Sequence, residues 1–311
     1  MTAAGTVLDP ASALYATLDE LAREARLAFF AGLPGSGKSL LVHQLVRLAH
    51  AAGRGPITLL QWDVARPVFE ACAAGRRYPQ QDGVTHGIIR LAVGRWARAA
   101  VTQWAAAHRD ARALLVGETP LVGHRLVELA RPARDEAEGL LSAPWTRFVV
   151  PVPSRDVRGH LEAERERRLR APLHERERED APPQVLRDLW HQLVGVARQI
   201  GLAPPGDARI PYDPRLYGRV YATVLRHRHC QILAVDTVMP TRSLSPYAHA
   251  IPVRDLVPDE AAAADAVRAT EAAYPEPRMV AALIEGWFAA DPTAAAQTHE
   301  APGPLLGSGR S

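Results

Sequence analysis

The stretch Gly32-Leu-Pro-Gly-Ser-Gly-Lys-Ser39 decides the fold. It follows an apolar run, Leu27-Ala-Phe-Phe-Ala31, and leads into an apolar-periodic segment opening Leu40-Leu41-Val42. Strand, tight glycine turn and helix start in succession are the setting that a phosphate-cradling loop requires, and the spacing G-x-x-x-x-G-K-S is complete. Gly35 and Gly37 allow backbone N–H groups to curl inward without Cβ clashes, so that several donors can converge on one polyphosphate. The helix N-terminus near Lys38 adds its partial positive charge at the same point. The residues expected around the phosphates are Gly32, Leu33, Pro34, Gly35, Ser36, Gly37, Lys38, Ser39 and Leu40. Lys38 is expected to reach the β- and γ-phosphates of a nucleoside triphosphate and the Ser39 hydroxyl to ligate Mg²⁺. Lys38 is the only lysine in the chain, and the other 36 basic residues are arginines. A compact ammonium is kept at the one place where a planar guanidinium would not fit a ring of backbone amides.

Composition narrows the class. With 311 residues, 47% hydrophobic and 23% charged, the chain can bury a large core as one extended α/β domain. Its apolar runs are too short for a membrane span, and Met1-Thr-Ala-Ala-Gly lacks the basic start and apolar block of a signal peptide. Two cysteines, Cys72 and Cys230, form neither a disulfide framework nor a C-x-x-C metal site. A reduced, cytoplasmic protein is the reading. The net charge of +3 is diluted by neighbouring acids nearly everywhere, which argues against a nucleic-acid partner.

Along the chain, residues 1–9 read as a loose N-terminus and residues 10–291 as the domain. A helix is expected over residues 11–26, with Leu14, Leu18 and Leu21 on one face. Ile57-Thr-Leu-Leu-Gln-Trp62 reads as a second strand, ending in Asp63. In doubly wound sheets ligands sit beyond the carboxyl ends of the strands, so Asp63 is a candidate general base. The alternative use is to cap a helix starting near Pro67. Arg66 is placed to meet an anionic group. A long helix follows to His108. Arg112-Ala-Leu-Leu-Val-Gly117 is the third strand, and Glu118 beyond it is a candidate Mg²⁺ ligand. Gly117 stands where motor ATPases carry the first of two adjacent acids. Leu121 to Leu141 reads as helical, broken near Pro132.

The fourth strand, Thr146 to Pro153, leads into the densest charge in the chain. Seven arginines from Arg158 to Arg178 face seven acids from Glu162 to Asp180. The balance suits an exposed helical lid over about 155–182 rather than a polyanion-binding tail. From such a lid Arg158 and Arg165, nearest the strand end, are the candidate catalytic arginines. A fifth strand runs from Cys230 to Val235. A helical extension covers about 240–291, and 292–311 reads as a disordered tail.

With these residues in place, the chain resembles the P-loop NTPase superfamily, and within it the small-molecule kinase branch of uridine, shikimate and gluconate kinases. The resemblance covers about residues 26–238 and rests on Gly32–Ser39, Asp63, Glu118 and the arginine-rich stretch. It implies an α/β three-layer sandwich with a five-stranded parallel sheet of order 2-3-1-4-5. It further implies ATP, Mg²⁺ and γ-phosphoryl transfer to a small hydroxyl-bearing acceptor. The alternative is an ATP-hydrolysing regulatory or assembly protein acting on a protein partner, whose marks would be an acidic pair at strand three, a sensor residue after strand four and an arginine finger.

Overall fold

The computed structural model describes residues 6–179, 181–240, 245 and 251–289. Its core is one sheet with helices on both faces. The strands are β1 (Leu27–Ala31), β2 (Ile57–Gln61), β3 (Leu114–Thr119), β4 (Thr146–Pro153), β5 (Cys230–Val235) and β6 (Arg254–Asp255). All are parallel, in the order β5-β4-β1-β3-β2-β6. The expected order therefore stands for five strands, but the sheet has six. β6 adds a two-residue edge beside β2, too short to give a period-2 signal.

The two faces are separated residue by residue. Leu27, Phe29, Leu115, Phe148 and Val150 point into one cluster, and Ala28, Phe30, Leu114, Val116 and Val149 into the other. Burial on both sides explains why β1 to β4 read as continuous apolar runs rather than alternating ones. The second cluster is closed by α1 (Ala13–Glu24) and α2 (Lys38–Ala51). The first, larger cluster receives α3 (Trp62–Ala71) and the long α4 (Gly87–Ala107).

Between β3 and β4 the chain forms two short helices, α5 (Val127–Ala130) and α6 (Glu136–Leu141). After β4 come α7 (Arg155–Arg170), α8 (Pro183–Gln199) and α9 (Pro214–Val224). The C-terminal α10 (Glu260–Ala273) and α11 (Pro277–Glu285) are not an appendage, because Ala263, Val267, Val280 and Leu283 join the main core cluster.

One departure concerns the N-terminal end. Residues 6–9 are packed rather than loose: Leu8 is buried and the Val7 amide donates to Gln44 Oε1 at 2.9 Å. Residues 1–5 and the expected tail, 292–311, lie outside the described residues. No helix among the described residues is long and apolar enough to cross a membrane.

Candidate functional site

A cavity of ≈ 470 Å³ opens at the carboxyl ends of the central strands, bounded by the Gly32–Ser39 loop, α3, β3, α7 and α8. Order reversal around β1 leaves such a crevice, because the chain leaves β1 toward β2 on one side and returns to β4 on the other.

The loop itself is held from three directions. Gly37 has φ 86°, a left-handed conformation that ends the turn and starts α2 at Lys38. Tyr217 of α9 reaches beneath the loop, and its hydroxyl accepts the Leu33 amide hydrogen at 2.8 Å. A Cβ on Gly32 would lie 2.5 Å from that hydroxyl, so no larger residue fits there. Burial pushes the Tyr217 phenol up to about 12, so it stays protonated. Lys38 is buried; its ammonium donates to the Leu33 carbonyl at 2.9 Å and lies 3.8 Å from Glu118 Oε1. The Ser39 hydroxyl donates to the same Glu118 oxygen at 3.1 Å.

Ser39 and Glu118 make a hydroxyl–carboxylate pair at the cavity wall. A hard divalent ion that keeps several waters and takes one carboxylate plus phosphate oxygens fits such a donor set. Among the described residues no group of three or more His, Cys, Asp or Glu side chains comes together, so a cage of protein ligands is not what these residues offer.

Asp63 is exposed and lines the cavity. It does not cap a helix near Pro67: α3 starts at Trp62, Pro67 lies inside it, and Asp63 sits in the first turn, where the helix dipole favours a carboxylate. Arg66, one turn on, also lines the cavity and is braced on Glu70 at 3.1 Å. Thus Lys38, Ser39, Asp63, Arg66 and Glu118 meet in one cavity.

The lid arginines divide. Leu161, Glu164, Arg165 and Arg168 of α7 form one i, i+3, i+4, i+7 stripe along the cavity. Arg158, expected to be catalytic, is not part of that wall. It lies one turn closer to β4, buried, with Nε on Glu162 at 3.0 Å and Nη2 on the Leu186 carbonyl at 3.0 Å. Its guanidinium sits 4.6 Å over the Tyr212 ring. Those contacts bind α7 to α8 and leave Arg158 a structural clamp.

Arg125 lines the cavity too, from a segment expected to be helical. Instead Leu121–Leu126 is a tight loop in which Leu121, His124 and Leu126 have φ near 60°, and Leu121 and Arg125 pair back to back. Non-glycine residues in that conformation persist only where surroundings hold them. Here Arg90 donates to the Gly123 carbonyl at 2.8 Å, His124 Nδ1 bonds the Leu283 carbonyl at 2.9 Å, and Tyr221 donates to the Pro120 carbonyl at 3.2 Å. Gly123 within an apolar-periodic stretch was the one sequence signal against a helix.

No family model matches the chain, and no curated protein or solved structure matches it.

Proposed function

We propose that this protein is a P-loop phosphotransferase that moves the γ-phosphoryl group of ATP to a small hydroxyl-bearing acceptor. The observation that carries the reading is the convergence of Lys38, Ser39, Glu118 and Asp63 on one cavity beyond the carboxyl ends of parallel strands. In this reading Lys38 and the amides of the Gly32–Ser39 loop hold the phosphates. Ser39 and Glu118 would hold Mg²⁺, which when bound would supply charge neutralisation at the phosphates. Asp63 accepts the proton that the acceptor hydroxyl releases as its oxygen bonds to the γ-phosphorus and the bond to the β-phosphate oxygen breaks. Arg165 and Arg168, on the inner stripe of α7, balance charge on the transferring group and restrict water.

The packing at Gly117 supports a transferase over an ATP-driven regulator. A Cβ there would lie 2.3 Å from Phe29 Cδ1, so an acidic pair at the end of β3 would not fit without displacing a buried ring. The test follows labelled γ-phosphate with purified protein and pooled hydroxyl-bearing metabolites. Label is expected to appear on a small molecule. If metabolites leave ATP consumption unchanged while a protein partner raises it, the regulator reading replaces this one.

A further inference from the structure

The guanidinium of Arg125 lines the cavity with no ion pair among the described residues. Its only hydrogen bond among the described residues is a long one, 3.5 Å, from Nη1 to the Val122 carbonyl. No described carboxylate pairs with it, whereas Arg66 is braced by Glu70. Burial is the main force lowering its pKa; Asp63 partly offsets this and the Arg66 guanidinium adds to it. Behind the loop, Arg90 bonds only carbonyls among the described residues, those of Thr85 and Gly123, and burial together with repulsion from Arg125 lowers it to about 10. Positive charge is thus gathered around a strained loop that three elements hold in shape. Arg125 is half-buried, and a charge partly withdrawn from water with no ion pair among the described residues is costly, so such a group is retained where something else neutralises it. In the phosphotransferase reading the nucleotide phosphates are served by Lys38 and the loop amides, beside Glu118.

We infer that Arg125 is a specificity-determining residue that binds a fixed anionic group, carboxylate or phosphate, on the acceptor, and that the acceptor is therefore an anionic hydroxy compound rather than a neutral one. This rests on the phosphotransferase reading. The planar fork of Arg125 would take the anion in two parallel hydrogen bonds, fixing the acceptor hydroxyl toward Asp63. A neutral alcohol would leave the guanidinium uncompensated in the closed site.

The experiment has a transfer arm and a binding arm. For transfer, a metabolite extract is split by anion exchange into bound and flow-through pools, and each is offered with γ-labelled ATP. Label is expected in products from the bound pool, with Arg125→Gln raising the acceptor KM about tenfold to a hundredfold and leaving the KM for ATP unchanged. Label confined to the flow-through pool overturns the inference. For binding, wild type and Arg125→Gln are loaded with a non-hydrolysable ATP analogue and Mg²⁺, then titrated with inorganic phosphate and, separately, acetate. Wild type is expected to take up one of the two at millimolar concentration, which identifies the anion, and Arg125→Gln to lose it. Uptake of neither anion by wild type, or equal uptake by the variant, overturns the inference. Anion uptake without transfer from any pool instead sinks the phosphotransferase reading and leaves the subsite standing. Because Arg125 has no ion pair to lose, Arg125→Gln is expected to melt at or above the wild-type temperature. A melting point several degrees lower marks Arg125 as a structural residue, and Arg125→Lys, which keeps the charge without the fork, then carries the binding comparison.

Discussion

The Tyr217 hydroxyl accepts the Leu33 amide hydrogen at 2.8 Å, joining helix α9 to the loop at the N-terminus of α2 across 184 residues of chain. The contact is fully buried, so it is not a surface accessory but part of what holds the loop open to the cavity. Tyr217→Phe removes the acceptor and keeps the ring against Tyr212 and Tyr221. A buried N–H left without a partner costs about 1–3 kcal/mol. The variant is expected to melt lower and to bind ATP about tenfold more weakly, as read by calorimetric titration. Unchanged affinity with lowered stability would confine Tyr217 to packing.

Lys38→Ala removes the one ammonium within reach of the loop. The Leu33 carbonyl loses a donor, but the backbone turn is set by Gly37 and by Tyr217, so the fold is expected to persist by circular dichroism. Phosphoryl transfer is expected to vanish. Full turnover in this variant would count decisively against phosphate handling by the loop.

Asp63→Asn keeps shape and removes the proton acceptor. If Asp63 is the base, transfer falls by about 10²–10⁴-fold while ATP binding holds. Asp63 is exposed in the first turn of α3, so little stability is at stake, about 0.3–1 kcal/mol from the helix dipole. Transfer that survives intact would return Asp63 to the role of a solvated helix-start acid.

Gly117→Ala tests the packing that bars an acid from the end of β3. Phe29 is fully buried and stacked on Phe148 with ring centroids 4.9 Å apart, so it has nowhere to retreat from a Cβ at 2.3 Å. Overpacking of this kind costs about 1–3 kcal/mol, read as a lower urea midpoint with an unchanged slope. An unshifted midpoint would mean that the sheet yields and that an acidic pair is sterically allowed.

The parts of this molecule that were legible in the sequence are those where local and global demands coincide. Strands buried on both faces leave unbroken apolar runs, and the glycine turn before Lys38 leaves a spacing, so β1 to β4 and the loop could be read directly. Strand β6 could not, because its two residues take their conformation from β2 alone. Arg125 was hidden for another reason: the stretch Leu121 to Val127 is largely apolar and reads as a helix, yet Arg90, Leu283 and Tyr221 hold it as a loop from elsewhere in the chain. Arg158 misled through distance along the chain. Of the two candidate arginines it lies nearer β4, but Leu186 and Tyr212 cover that turn of α7, and the arginines that meet the cavity come two and three turns later.

An ionic knot around the buried Arg228 and Arg98 is expected to set the acid limit of the fold. Arg228, whose side chain is wholly buried, donates to Glu138 at 2.7 Å, and Arg98 donates to both Glu138 and Asp135, tying α4, α6 and the start of β5 together. Burial alone would raise the Glu138 pKa, but the hydrogen bonds from Arg228 and Arg98 outweigh it and bring it down to about 2. Asp135 is lowered as well, chiefly by its hydrogen bonds from Arg98. A carboxylate whose pKa is lower folded than unfolded contributes stability above its unfolded value, near 4.5 for Glu138. That contribution is lost as pH falls toward about 2, where the folded carboxyl protonates too. The wild-type melting temperature is therefore expected to be flat above about pH 5 and to drop steeply below it. Glu138→Gln strands the Arg228 guanidinium in the interior, at a cost of about 3–5 kcal/mol near neutral pH. Its melting curve should accordingly lie lower at pH 7 and descend less steeply between pH 4.5 and pH 2. Two curves of equal slope would show that the acid limit is set by other carboxylates.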